Sequence, residues 1–188
     1  PGPLGEVSGS LSITQTLAQG FGTVASGSYS QAQGRNTTAS GPYSFASNQN
    51  STATAVCSSA IGEGSSATAT AAHSQGFGSI AGGLASHAEG YYTEASSNYS
   101  HAEGYRTDAT NTAAHAEGYQ SLASGLYSHA SNRNTTASAT CAHAEGEGTS
   151  ATADAAHSEG FQSVASGFAA HAEGYETTAS GLYSHAAG

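Results

Sequence analysis

The residues best suited to chemistry are the histidines. His73, His87, His101, His115, His129, His143, His157, His171 and His185 stand fourteen residues apart, and no histidine falls off this grid. A carboxylate follows two residues later in most cases: Glu89, Glu103, Glu117, Glu145, Glu159 and Glu173. Gln75, Ser131 and Ala187 take that place in the other three. Imidazole beside carboxylate suits acid–base catalysis, metal ligation or a hydrogen-bonded ladder.

The repetition argues against catalysis. A triad needs one nucleophile oriented by one base in a pocket. Here the same groups recur on every unit, and a regular array offers no cleft. The Ser/Ala-His-Ala-Glu-Gly pentad is not a Gly-x-Ser-x-Gly nucleophile elbow. The chain is read as no enzyme, and no cofactor is expected. A fixed period belongs to an architecture, so the repeat decides the fold.

Residues 16–183 divide into twelve units of fourteen, and Ser184–Gly188 open a thirteenth. With histidine at position 2 of each unit, position 10 is alanine in every one, from Ala25 to Ala179. Position 3 is alanine except at Ser74 and Ser158, and position 8 is always serine or threonine. Positions 1 and 3 share one face of an extended strand, as do 8 and 10. Two short strands per unit therefore turn small side chains toward a very thin interior, and positions 2 and 4 point the other way. Position 5 is glycine, or asparagine at Asn48 and Asn132, which marks a turn of positive φ. Looser small residues at position 12 suggest the second corner. Each unit reads strand, turn, strand, turn, and units stack in parallel into an all-β solenoid about 58 Å long over twelve rungs.

Composition agrees with a thin solenoid. There are 25 glycines, no tryptophan, no methionine and only 9% charged residues, too few large aliphatics for an ordinary core. A net charge of −10 with three basic residues excludes a nucleic-acid footprint and an anionic membrane partner. No apolar run approaches the roughly 20 residues that span a bilayer, so no membrane insertion is expected. Residues 1–15 fit the repeat poorly and read as an irregular N-terminal segment or a cap. Pro1-Gly2-Pro3-Leu4-Gly5 reads as a fragment boundary or a tag remnant, with targeting signals belonging to a longer protein.

Cys57 and Cys141 lie 84 residues apart, six units of fourteen. At one coil per unit they sit about 29 Å apart, far beyond the reach of about 7 Å that a disulfide allows. They are expected as free, small, buried or half-buried residues, with pairing between chains as the alternative. The same 84-residue interval relates Ser44–Cys57 to Ser128–Cys141. A six-unit block has been duplicated, which lengthens a rod without refining a site.

These units resemble the YadA-like head repeats of trimeric autotransporter adhesins, fourteen-residue units centred on Ser-Val-Ala-Ile-Gly. Ser58-Ser-Ala-Ile-Gly62 is close to that motif. Elsewhere the units are similar to the His-Ala-Glu-Gly variant of surface and phage-associated proteins. The resemblance covers residues 16–188. It implies a left-handed parallel β-roll, a homotrimer wound about a common axis, and a structural or adhesive role in a bacterial, spore or phage surface fibre. Its partner would be a host or matrix surface ligand and its place extracellular. Position 2 and 4 residues, Val and Ile in the family, face the trimer centre there; here they are mostly His and Glu.

Three readings of that face follow. In the first, His73 to His185 with Glu89, Glu103, Glu117, Glu145, Glu159 and Glu173 form a ladder in the trimer interface, where buried polar groups need partners. In the second, three histidines at one level of a threefold axis coordinate Zn or Ni, although the one-chain spacing is no standard zinc motif. In the third, the face is simply solvated. Aromatic residues at positions 6 and 14, such as Tyr91 and Tyr99, read as packing between coils or subunits, or else as a tyrosine-rich adhesive edge. The Ser/Thr column at position 11, Ser26 to Ser180, raises an alternative function, an ice-binding solenoid. Glu94 and Asp108 in the adjacent column at position 9 argue against it.

Overall fold

A computed structural model describes residues 16–188. The expected N-terminal segment or cap over residues 1–15 lies outside the described residues. The chain is a parallel β-solenoid of about twelve turns, with strands and turns but no helix among the described residues. Each coil contributes a five-residue strand at positions 2–6, such as His87–Tyr91, and a two-residue strand at positions 9–10, such as Glu94–Ala95. The long strands form one 13-stranded sheet and the short ones a 12-stranded sheet, each ordered strictly coil after coil. Register follows the repeat without slip: His87 pairs His101, Ala88 pairs Ala102 and Glu89 pairs Glu103.

The interior is as thin as the columns require. Ala88, Ala102 and Ala116 from the long strands and Ala95, Ala109 and Ala123 from the short ones are wholly buried. Among the described residues, nothing larger than threonine is fully buried. Several hydroxyls of positions 1 and 8 serve the backbone where the coil bends. Ser51 Oγ donates to Ser47 O at 2.8 Å, and Thr107 Oγ1 to Glu103 O at 3.2 Å. Ser100 Oγ donates to Ser97 O at 2.6 Å. Ser74 and Ser158, the two exceptions to alanine at position 3, each donate to a position 8 carbonyl at 2.7 Å. A hydroxyl is admitted there because a buried acceptor waits for it.

The second corner opens at position 12 as expected, where Ser30 N donates to Gly27 O at 3.0 Å, but the first falls at position 7, beyond the expected position 5. Left-handed backbone occurs at position 7, as in Asn36, Tyr92 and Arg106, and at position 14, as in Tyr29, Cys57 and Ala85. At position 14 φ stays between 51 and 59° in every coil. Each corner is fastened to the coil before it: Asn36 N donates to Phe21 O and Tyr43 N to Ser28 O, both at 2.8 Å. Position 5 does have positive φ, for example +119° at Gly34, but it lies inside the long strand. Its glycine also answers to close packing, because a Cβ on Gly34 would run into the carbonyl oxygen of Asn48 in the next coil. Position 12 is not left-handed; a Cβ on Gly41 would meet the carbonyl of Ala55.

Both cysteines occupy position 14 corners. They form no disulfide within the chain, as the spacing required, and they are exposed, contrary to the expectation of buried or half-buried residues. The corner turns the side chain outward, away from the alanine interior.

Candidate functional site

The outward face of the long-strand sheet brings all nine histidines into one column, because parallel pairing at an offset of fourteen sets position 2 on position 2. From His87 onward the rings stack in parallel, with centroids 4.7 to 4.9 Å apart and planes within 17°. At the upper end of the column His73 meets His87 edge-on at 87°. The spacing is that of the sheet itself. Most of these side chains are only about one-third exposed even in the single chain, 37% at His101 and 36% at His157.

Glutamates run beside them in two arrangements. Glu89, Glu103 and Glu145 stay with the histidine of their own coil, at 3.5, 3.4 and 3.5 Å from Nε2. Glu117 lies between His115 at 4.0 Å and His129 of the next coil at 3.7 Å. Ser131, where His129 would have its own carboxylate, accounts for that reach. Ala187 has the same effect lower down. Glu173 turns to His185 at 3.2 Å and leaves His171 at 4.0 Å, while Glu159 shifts forward to within 3.6 Å of His171. A missing acid thus displaces its neighbours by one coil.

These contacts satisfy few imidazoles. Nε2 of His87, His101, His115, His129, His143, His157 and His171 is shielded from solvent and has no hydrogen-bond partner of acceptable geometry. The two ends of the column differ: His185 Nε2 lies 3.2 Å from Glu173 Oε1, and His73 Nε2 3.5 Å from Gln75 Oε1. Burial, then the stacked imidazoles on either side, hold His87, His115 and His143 below the ordinary histidine value of 6.5, against a weaker upward pull from nearby carboxylates. These imidazoles favour the neutral form. A shallow groove runs alongside, lined by Glu89, Glu103 and Glu117 and by the glycines that follow them.

One other column, at position 6, is ordered. Phe77, Tyr91, Tyr105 and Tyr119 stack at 4.8 to 5.1 Å, with Tyr92 edge-on to Tyr91 and Arg106 over the Tyr105 ring. An ion pair, Arg133 to Glu147 at 3.0 Å, interrupts the aromatics before Phe161 and Tyr175 resume. That ion pair was not singled out in the sequence, although the two residues share position 6 in consecutive units. In this column the aromatics pack coil on coil, whereas position 14 tyrosines such as Tyr99 and Tyr127 stay exposed.

Comparison with known families then becomes informative. The family model described as the YadA head domain repeat matches twice, over residues 32–54 and 158–184. These two segments are similar to YadA head repeats. The matched segments lie toward the two ends of an array whose register is unbroken between them, so the coils in between share the geometry of the matched ones. Head repeats of this kind point to an adhesin-like structural role. No curated protein matches the chain in a sequence comparison.

Proposed function

We propose that the chain is the rod-like module of a trimeric surface fibre on a bacterium, spore or phage, with the His/Glu face as its subunit interface. Three copies would wind about one axis as left-handed rolls. The observation that carries this reading is the row of shielded imidazole nitrogens without partners. Buried polar groups seek hydrogen bonds, and a neighbouring chain turning the same face inward would supply carboxylates to them. A solenoid with an interior of alanine also buries little apolar surface by itself, and association offsets that deficit. The function is presentation: a stiff rod carries many weak contacts, and three copies multiply them through avidity toward a host or matrix surface ligand.

Ice binding is the weaker reading. The position 11 hydroxyls are mostly exposed, but Glu94 and Asp108 pair in register in the adjacent column. Burial, then the charge of Glu94, raises the Asp108 carboxyl above its ordinary value, which is the signature of a crowded acidic spot rather than of a lattice-matched surface.

Small-angle X-ray scattering tests the proposal. A rod whose mass per unit length corresponds to three chains supports it. A cross-section of one coil contradicts it, and an accompanying thermal hysteresis signal would move ice binding to the front.

A further inference from the structure

We propose that the His/Glu column is a divalent-metal site, taking zinc or a similar transition-metal ion between an imidazole Nε2 and the carboxylate beside it. Among the described residues, three groups of side chains place their donor atoms within 4.8 Å of one another: Glu103–His115–Glu117, His143–Glu145–His157 and His171–Glu173–His185. In each, all donors come from one chain, so the site does not depend on the trimer.

The distances favour chelation over hydrogen bonding. Two ligands at about 2.1 Å from a tetrahedral ion stand about 3.4 Å apart. Within these groups His143 Nε2 and Glu145 Oε2 are 3.5 Å apart, and His115 Nε2 and Glu117 Oε2 4.0 Å. These separations are wide for a hydrogen bond yet close to the span of two zinc ligands. Nε2 of His115, His143, His157 and His171 is without a hydrogen-bond partner, so its lone pair is free when the proton sits on Nδ1. The stacked rings of His143 and His157, with centroids 4.7 Å apart, stand too far apart for both nitrogens to reach one ion without a tilt. The primary contact is therefore one imidazole and one carboxylate, with the next coil's donor or water completing the set. Imidazole with carboxylate suits zinc, nickel or cobalt, whereas calcium and magnesium prefer all-oxygen sets.

The test is titration of the 188-residue chain with zinc chloride at pH 7.5, read by calorimetry. Saturable binding of more than one ion per chain is expected. Glu145→Gln with Glu173→Gln should weaken it by at least about tenfold, the scale that loss of even an outer-shell partner reaches. Glu147→Gln removes a carboxylate of the position 6 column and should leave binding unchanged. Cobalt absorption of the unaltered chain needs no variant and should show the intense visible bands of a tetrahedral nitrogen–oxygen site. Absence of saturable binding and of those bands would overturn the proposal. So would equal weakening by Glu147→Gln, which would mean that zinc follows overall negative charge. The mass of the same samples separates the two proposals: a monomer that binds zinc keeps the metal site and removes the trimer, and a trimer that ignores zinc does the reverse.

Discussion

Glu173 lies closer to His185 of the following coil, at 3.2 Å, than to His171 of its own coil, at 4.0 Å. The cause sits two residues beyond His185, where Ala187 replaces the usual glutamate. The face is thus a shared charge network in which one substitution moves carboxylates along the stack, not a set of separate pairs.

Removing a carboxylate should be felt by the histidine it faces. Glu117→Gln takes away one of the two charges that pull the His115 value upward. The His115 titration, followed by NMR of its ring protons, is expected to move further below 6.5. An unmoved or raised titration would contradict the network.

Acid should destabilise the fold. His87, His115 and His143 have values lowered in the folded chain, so between those values and 6.5 the unfolded chain binds more protons. Their contribution is complete above 6.5 and is lost as the pH falls below it. Protonated rings stacked at 4.7 to 4.8 Å would also repel one another. Thermal unfolding at pH 7.5 and pH 5.5 is expected to give the lower Tm at pH 5.5. An equal or higher Tm there would contradict this account.

The buried hydroxyls should divide into two kinds. Thr107 Oγ1 donates to Glu103 O, whereas Thr93 Oγ1 is buried without a partner. Thr107→Val is expected to cost about 1 kcal/mol, and Thr93→Val to be neutral or stabilising. Denaturant unfolding of the two variants checks the difference; equal losses would contradict it.

The corners offer a stabilising change. Ala85 holds φ at 51° at position 14, a conformation that costs a residue with a Cβ about 1 kcal/mol or more. Ala85→Gly is expected to recover part of that, less the entropy glycine adds to the unfolded chain. A raised midpoint in denaturant unfolding supports this, and a lowered one contradicts it.

Much of this architecture was legible in the sequence. Ala88, Ala95 and their counterparts recur because nothing larger fits, so the interior could be read from columns alone, as could the outward direction of His and Glu. So could the second corner at position 12, but not the first. Turn rules look for glycine, which does hold the left-handed position at Gly22, Gly64, Gly78 and Gly148, but Tyr29, Cys57, Ala85 and Arg106 are left-handed too, held there by coil-to-coil hydrogen bonds that no local pattern reveals. Other glycines mark where the next coil's backbone presses close, as at Gly34 and Gly41. The displacement of Glu159 and Glu173 was hidden for a similar reason: it depends on an absent side chain at Ala187, one coil away.

The central claim is that the His/Glu face joins three chains. Solution mass by light scattering at pH 7.5 and again at pH 5 tests it most directly. The account predicts the mass of three chains at pH 7.5, falling as the histidines take up protons at pH 5. A stable monomer at pH 7.5 would contradict it.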